Sequence, residues 1–469
     1  MQAESMTVPP RLPLVVLPSN RSHSTNKDAK LVNCYIETDE QGEIQIYRRP
    51  GMLTFQTHSP PQEGTGAFYW DGDVYTVFGV TLYRNNASVG TLGTTGTAKN
   101  AFTSILGATP KMILGDGTQA YTYYVGGGLS ADLHSINTEY PATTVYGFAY
   151  LNGEVSVMQP EAVVWTSKEN SVDQVGDWDP LAFISAQAEP DNGIAIAKQL
   201  VYDIAFNEWT TEVFFDAGNP SGSPLGPVQG SLISYGCAAA DSIQSIDDVL
   251  FWLSRNRTNS LQIAKMERLS LEIISTKAID RLLVGADLSD VMSWQIKFDG
   301  HSFYVITLVS LNLTLAYDIV EGFWCQWTDQ YGNYLNIVAS TYDASGNNIL
   351  QHKTDGTLLY MSTSYYTDDG APIPVSIVTP TFDAQTRRRK QMNMMYFVAD
   401  QVDGSVLQVR YSDDDYKSWS NWRTIDLSLD TPSASGWGTF KKRAYHLYHK
   451  QDTFFRISAV EIQYDIGSL

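Results

Sequence analysis

From about residue 64 to about residue 365 the chain repeats one short plan: an aromatic-rich run, a tight turn, and a second apolar run. In "GAFYWDGDVYTVFGVTLYR" (66–84) the turn is Asp71-Gly72. Asp-Gly and Asn-Gly tolerate the two left-handed positions of a type I′ turn, whose twist matches that of antiparallel strands. The plan recurs at 111–125 around Gly115-Asp116-Gly117, at 146–167 around Asn152-Gly153, and at 195–215 with Asn207-Glu208 at the second turn. It returns at 249–267 (Asn256 to Asn259), at 294–328 (Asp299-Gly300, then Glu321-Gly322), and at 337–362 (Ser345-Gly346, Asp355-Gly356). Seven modules about 45 residues apart predict an all-β fold, a β-propeller of six to eight blades. Radial packing removes the edges that a row of free hairpins would expose. A pair of β-sandwiches is the alternative with the same strand-and-turn spacing.

Two helices are expected inside this region, Asp241 to Val249 and Arg268 to Leu283, both short. At 469 residues the chain is long enough for two to three domains. Charged residues make up only 17 %, against 43 % hydrophobic and 12 % aromatic, a palette of strands and turns.

After Tyr366 the rhythm changes. Pro372, Pro374 and Pro380 mark a linker and an edge, and alternating runs up to "FFRISAVEIQYDI" predict a second all-β domain, a sandwich-like platform. The charge divides with it. Residues 371–469 hold 12 Lys and Arg against 11 Asp and Glu, so the remainder carries −21 of the net −20. An acidic body is a poor phosphate binder and suits a surface past which DNA slides; solubility alone would also explain it. The platform's basic run Arg387, Arg388, Arg389 and Lys390, with Lys441, Lys442 and Arg443, reads as a DNA contact, as a dock for an acidic neighbour, or as scattered solvated charge.

No catalytic constellation emerges. The seven histidines show no metal spacing, and His446 and His449 fall on opposite faces of a predicted strand. There is no G-x-S-x-G, Walker or H-E-x-x-H pattern. "SDDDYKSW" resembles the Asp-box of sialidases through Ser412, Asp414 and Trp419, with Tyr416 in place of Gly and Ser418 in place of Thr. That box is a structural hairpin, so one degenerate copy implies a well-made turn rather than a hydrolase. A calcium ion at Asp413 to Asp415 has no EF-type spacing behind it. Trp419 and Trp422 read as packing residues, or as platforms for sugar stacking. No cofactor and no metal are expected.

Cys34, Cys237 and Cys325 are far apart and odd in number, which suits assembly in a reducing cytoplasm. No run approaches a membrane span. The stretch "MQAESMTVPPRLPLVVLPSN" lacks a basic n-region and is broken by prolines, so it is not read as a signal peptide.

Several segments, taken in order, carry a family likeness. "NCY…GEIQIYRRPGM" from Asn33, then "GAFYWDGDVYTVFGVTLYR", "MILGDGTQAY", "AQAEPDNGIAIAKQLVYDIAFNEWTTEVFF" and "LAYDIVEGFWCQWTD", in that order, resemble the tail nozzle proteins of short-tailed bacteriophages. These are also known as packaged-DNA stabilisation proteins or tail accessory factors. The resemblance covers roughly residues 30–330. It implies a non-enzymatic virion protein, built as a propeller plus a platform and assembled as a homo-hexamer below the head-to-tail adaptor ring. Such a ring would extend the DNA channel, retain the genome and release it on ejection. Tail fibre, spike or needle proteins would be its other partners, and its place would be the virion tail, after assembly in the host cytoplasm. The alternative is a carbohydrate-binding or glycan-hydrolysing, sialidase-like propeller. Three regions follow: an N-terminal arm and hairpin at 1–60 packing with the platform, a propeller at 61–368 and the platform at 369–469. Arg48 and Arg49 are expected as an assembly contact or as platform-side packing rather than as DNA ligands, with Pro50-Gly51 leading into the first blade.

Overall fold

The computed structural model describes residues 10–15, 28–94, 96–258 and 260–467. Most of the N-terminal stretch read above, with His23 and Asn259, lies outside them.

Left-handed turns set the strand boundaries. Asp71-Gly72, Asn152-Gly153 and Asp299-Gly300 all take positive φ at both residues, as a type I′ hairpin requires. Six antiparallel sheets of four or five strands follow one another at 64–91, 101–129, 149–185, 193–227, 236–273 and 291–327. A seventh has three strands, Ile337–Tyr342, Asn348–His352 and Thr357–Ser362, and takes its fourth from Gly51–Thr57. These are the blades of a seven-bladed propeller, numbered here in chain order.

Ring closure is visible between blades 7 and 1. Gln351 is buried, donates through Nε2 to Val77 O (2.8 Å) and accepts from Gly66 N at Oε1 (2.9 Å). Neighbouring blades enclose apolar clusters of their own. Ile105 and Ile113 meet Val155 and Val157 between blades 2 and 3. Phe206 meets Trp252 between blades 4 and 5, and Trp294 and Trp327 meet Leu350 between blades 6 and 7. Burial is therefore spread around the ring, as stacked blades demand.

The platform is a sandwich of two sheets. One carries Lys30–Val32, Val375–Val378, Ala444–His449, Val406–Ser412 and Arg423–Asp426. The other carries Cys34–Thr38, Ile44–Arg48, Arg456–Ile466, Lys390–Ala399 and Ser433–Ser435. Leu31, Ile377, Leu447, Phe397 and Ile462 fill the space between them. The first sheet is continuous with blade 6, because Lys30–Val32 pairs in parallel with Phe323–Trp327.

Three expectations change. Gly51–Thr57 belongs to the last blade rather than to the N-terminal arm or the first blade, since its hydrogen-bonding partner is Thr357–Ser362. The expected helix at 241–249 is a single 3-10 turn, Ala240–Ser242, followed by two strands that hinge on the left-handed pair Asp247-Asp248. Within 268–283, Arg268 and Leu269 also turn left-handed, and only Lys277–Leu283 is helical, capped by Thr276 Oγ1 accepting from Ile279 N (3.3 Å).

Candidate assembly site: an arginine joint and a basic tip

The basic residues singled out in the sequence separate into two groups, one inside the protomer and one outside. Arg49 is 1 % exposed and stands where propeller and platform meet. Its Nε donates to Asn33 Oδ1 (3.0 Å), Nη1 to Pro50 O (2.9 Å) and Asp368 Oδ1 (3.0 Å), and Nη2 to Thr328 O (3.0 Å) and Asp368 Oδ2. All five guanidinium hydrogens thus have acceptors, which is what a buried arginine requires. Asn33, fully buried in the left-handed region, is fixed in turn. Its Nδ2 donates to Thr328 Oγ1 (2.9 Å) and Pro374 O (3.0 Å), and its Oδ1 also accepts from Thr328 N (2.7 Å).

The neighbouring residues serve the same joint. Arg48 donates to the carbonyls of Gln451 (2.7 Å) and Thr453 and lies 5.0 Å from the Tyr366 ring centre. Burial lowers its pKa to about 10. At Gly51 the backbone passes so close to the 365–367 segment that a Cβ would lie 2.4 Å from Thr367 O and 2.7 Å from Tyr365 O. The Arg-Arg-Pro-Gly step is therefore a stitch: platform strand, buried arginines, then the closing strand of the propeller.

At the other end of the platform, Lys390 Nζ donates to the carbonyls of Thr386 (2.5 Å) and Lys441 (2.6 Å). Arg443 pairs through Nε and Nη2 with Asp413 (2.7 Å each), donates to Trp437 O (2.6 Å), and stacks 3.8 Å from the Tyr411 ring centre. Both side chains are buried. So Arg48, Arg49, Lys390 and Arg443 have their partners within one chain, which corrects any reading of their side chains as outward contacts. Arg387, Arg388, Arg389, Lys441 and Lys442 stay exposed. Lys390 draws the loops carrying them into one basic tip.

Ser412 and Asp414 shape the adjacent turn. Ser412 Oγ donates to Asp414 Oδ1 (2.8 Å) and accepts from Tyr416 N (3.0 Å), while Ser418 N donates to Asp414 Oδ1 (2.9 Å). Hydrogen bonds from Ser418 first, then Ser412, hold the Asp414 carboxyl down to about 2. Asp413 and Asp415 meet Arg443 and Lys442. Trp419 and Trp422 carry the Arg410 guanidinium at 5.0 and 4.2 Å from their ring centres, so those faces are already covered.

Lys99 was not singled out in the sequence. It precedes blade 2, yet its Nζ donates to Asp241 O of blade 5 (3.3 Å) and Ser293 O of blade 6 (3.4 Å), 5.6 Å from the Tyr146 ring centre beside blade 3. A side chain that bridges opposite blades crosses the propeller axis. Burial lowers its pKa, with Asp241 opposing.

Comparison with known proteins supplies the family. A family model described as bacteriophage P22 Gp10, β-propeller, matches residues 17–339. No curated protein sequence matches. Among solved structures, the computationally designed Ika8 protein aligns with TM-score 0.39 at 9 % identity over 66 % of this chain and 99 % of that one. The extracellular domain of a putative hybrid two component system from B. thetaiotaomicron gives TM-score 0.44 at 10 % identity over 76 % of this chain and 44 % of that one. A chain of the Mitotic Checkpoint Complex gives 0.40 at 8 % identity over 77 % and 99 %. The family match covers well over half of the 469 residues, and the chain belongs to the phage stabilisation family of bacteriophage P22 Gp10, a family of β-propeller phage proteins.

Proposed function

We propose that this chain is a structural nozzle protein of a short phage tail, six copies of which form a ring below the head-to-tail adaptor. The ring extends the DNA channel, retains the packaged genome and lets it pass on ejection. Other tail proteins, of the fibre, spike or needle type, attach to it, and the ring assembles in the host cytoplasm before joining the virion.

The observation that carries this reading is the blocked axis of an acidic propeller. Lys99 ties blade 2 to blades 5 and 6 across the centre, so the hole of a single propeller is no conduit. A channel wide enough for a duplex has to run between copies, along surfaces contributed by several protomers. With −21 charges outside the platform, those walls repel phosphate rather than hold it. The buried arginine joint supports the same reading, because it ties propeller and platform of each copy together.

The test is to image the purified protein, alone and with adaptor rings, and to assay virions assembled without it. Six-fold rings and particles that lose their DNA are expected. A chain that stays monomeric and never enters particles would sink the proposal.

A further inference from the structure

Blade 3 differs from its neighbours in charge and in edge. Residues 131–191 carry ten acidic side chains against a single base, Lys168. The outer strand of this blade, Trp178–Ser185, pairs on one side only, with Val163–Ser167. At eight residues it exceeds the outer strands of blades 1, 2, 4 and 5, which have 5, 2, 3 and 4. The corresponding edges of blades 6 and 7 are covered by Lys30–Val32 and Thr367–Asp368. A long bare edge is a docking template unless something blunts it. Here Pro180 interrupts backbone pairing, so what the edge offers is side chains.

Those side chains form a graded surface. Leu181 and Phe183 point outward at 68 % and 43 % exposure, with Val175 at 86 % just before the strand. Exposed carboxylates frame them: Asp179 on the strand, Glu169 beside its start, and Glu161 beside its end, where Gln187 Nε2 donates to Glu161 O (2.6 Å). None of these three acids is ion-paired among the described residues. An apolar centre with a charged rim is the anatomy of a protein interface.

The occupant follows from charge and from position. Arg387, Arg388, Arg389 and Lys441 make no ion pair among the described residues. They sit where Lys390 pairs with Ile466, the end of Arg456–Ile466 remote from the joint. Eleven residues of strand, about 36 Å, separate this tip from the joint. The joint in turn engages blades 6 and 7. In a ring of seven, blade 3 is three and a half blades from the middle of that pair, the far side of the disc. Acidic rim and basic tip are therefore well-separated surfaces of one protomer, each remote from the joint. Complementary patches on two different surfaces of one chain give a heterologous, head-to-tail contact, the kind that closes into rings.

We propose that the outer strand of blade 3, around Asp179, Leu181 and Phe183, receives the Arg387–Arg389 and Lys441 tip of a second copy of this chain. This inference rests on the ring reading above and assigns its contact.

The test uses full-length protein and three variants: a tip reversal (Arg387→Glu, Arg388→Glu, Arg389→Glu), a rim reversal (Glu161→Arg, Glu169→Arg, Asp179→Lys), and both together. Sedimentation gives the assembled fraction, and circular dichroism with a thermal melt confirms folding. Each single reversal should shift the protein to single chains and weaken assembly at least ten-fold. Mixing the two single-reversal proteins restores opposite signs at every tip–rim contact of an alternating ring and should recover assembly, as should the combined chain with both signs exchanged. Folded single reversals that assemble like the parent would overturn the proposal while leaving the ring reading intact. A parent protein that never assembles would overturn both. A tip reversal that loses only affinity for duplex DNA, with assembly unchanged, would assign the tip to nucleic acid and overturn it as well.

Discussion

Arg49 and Asp368 form a buried two-pronged ion pair, Nη1 to Oδ1 at 3.0 Å and Nη2 to Oδ2, between residues 319 positions apart. Asp368 Oδ1 also accepts from Met52 N (3.2 Å), so the pair clasps the strand that closes the propeller. Removing Asp368 leaves the buried Arg49 charge without its counter-ion, and removing Arg49 leaves the half-buried Asp368 carboxylate without its cation. Arg49→Met or Asp368→Asn should each cost about 3–5 kcal/mol. Arg49→Lys should not rescue, because an ammonium cannot fill five directed acceptors. Urea denaturation checks this; a loss below about 1 kcal/mol would place the pair among ordinary surface bridges.

Gly51 makes a separate, steric prediction. Adding one methyl drives it against the carbonyls of Thr367 and Tyr365, which are backbone and cannot swing aside. Gly51→Ala should destabilise by at least about 1–3 kcal/mol, the usual cost of overpacking. The loss should appear in a melt of the full chain, while Gly300→Ala, with open space around its Cβ, should suffer only from its left-handed backbone.

Asp203 lies fully buried between blades 3 and 4, and burial raises its pKa to about 6, with the Ser156 hydroxyl and Lys198 opposing. Its folded value is above the ordinary value of about 4. Between these values the folded chain keeps a proton that the unfolded chain has lost, so stability falls as pH rises, and above pH 6 the penalty is constant. Asp203→Asn should therefore gain about 2–3 kcal/mol at pH 8 and almost nothing at pH 4. Denaturation at both pH values checks it, and an equal change at both would contradict the charge explanation.

The platform histidines respond in the opposite sense. Burial, reinforced by Arg410 at His446 and by Arg48 at His449, lowers both to about 3. Below their unfolded value near 6.5 the unfolded chain binds protons that the folded chain refuses, so stability falls on acidification toward pH 3. Each contributes at most about 1.4 kcal/mol per pH unit. His301 beside Asp318 is raised instead: its contribution is present below about pH 6.5 and lost as pH climbs through the higher folded value. A His446→Gln, His449→Gln chain should lose less stability than the parent between pH 7 and pH 5. An unchanged slope would contradict the assignment.

The repeating modules were legible because Asp-Gly and Asn-Gly carry their backbone preference in the sequence, and all seven fall within blades. The closing strand was not. Its pairing with Thr357–Ser362 joins segments some 300 residues apart, and nothing local in "GMLTFQT" names that partner. The helix reading at 241–249 overlooked that Asp247-Asp248 would close its last turn, where the helix dipole disfavours acids, whereas adjacent Asp residues tolerate the left-handed turn they take. Arg48, Arg49, Lys390 and Arg443 were singled out as candidate assembly contacts because charge alone suggests the surface; only their carbonyl and carboxylate partners explain why they are inside. Lys99 gave no signal at all, since crossing the axis is a property of the closed ring. The opposition of blade 3 to the joint was hidden for the same reason: it needs the blade count and the blade order together.

The most direct measurement is the rotational symmetry of the assembled protein, read by electron microscopy of purified tails or of the protein bound to adaptor rings. A six-fold ring is expected, with blade 3 of each propeller against the platform tip of the next. Separate propellers in the images, or a ring whose DNA path runs through the hole that Lys99 crosses, would contradict it.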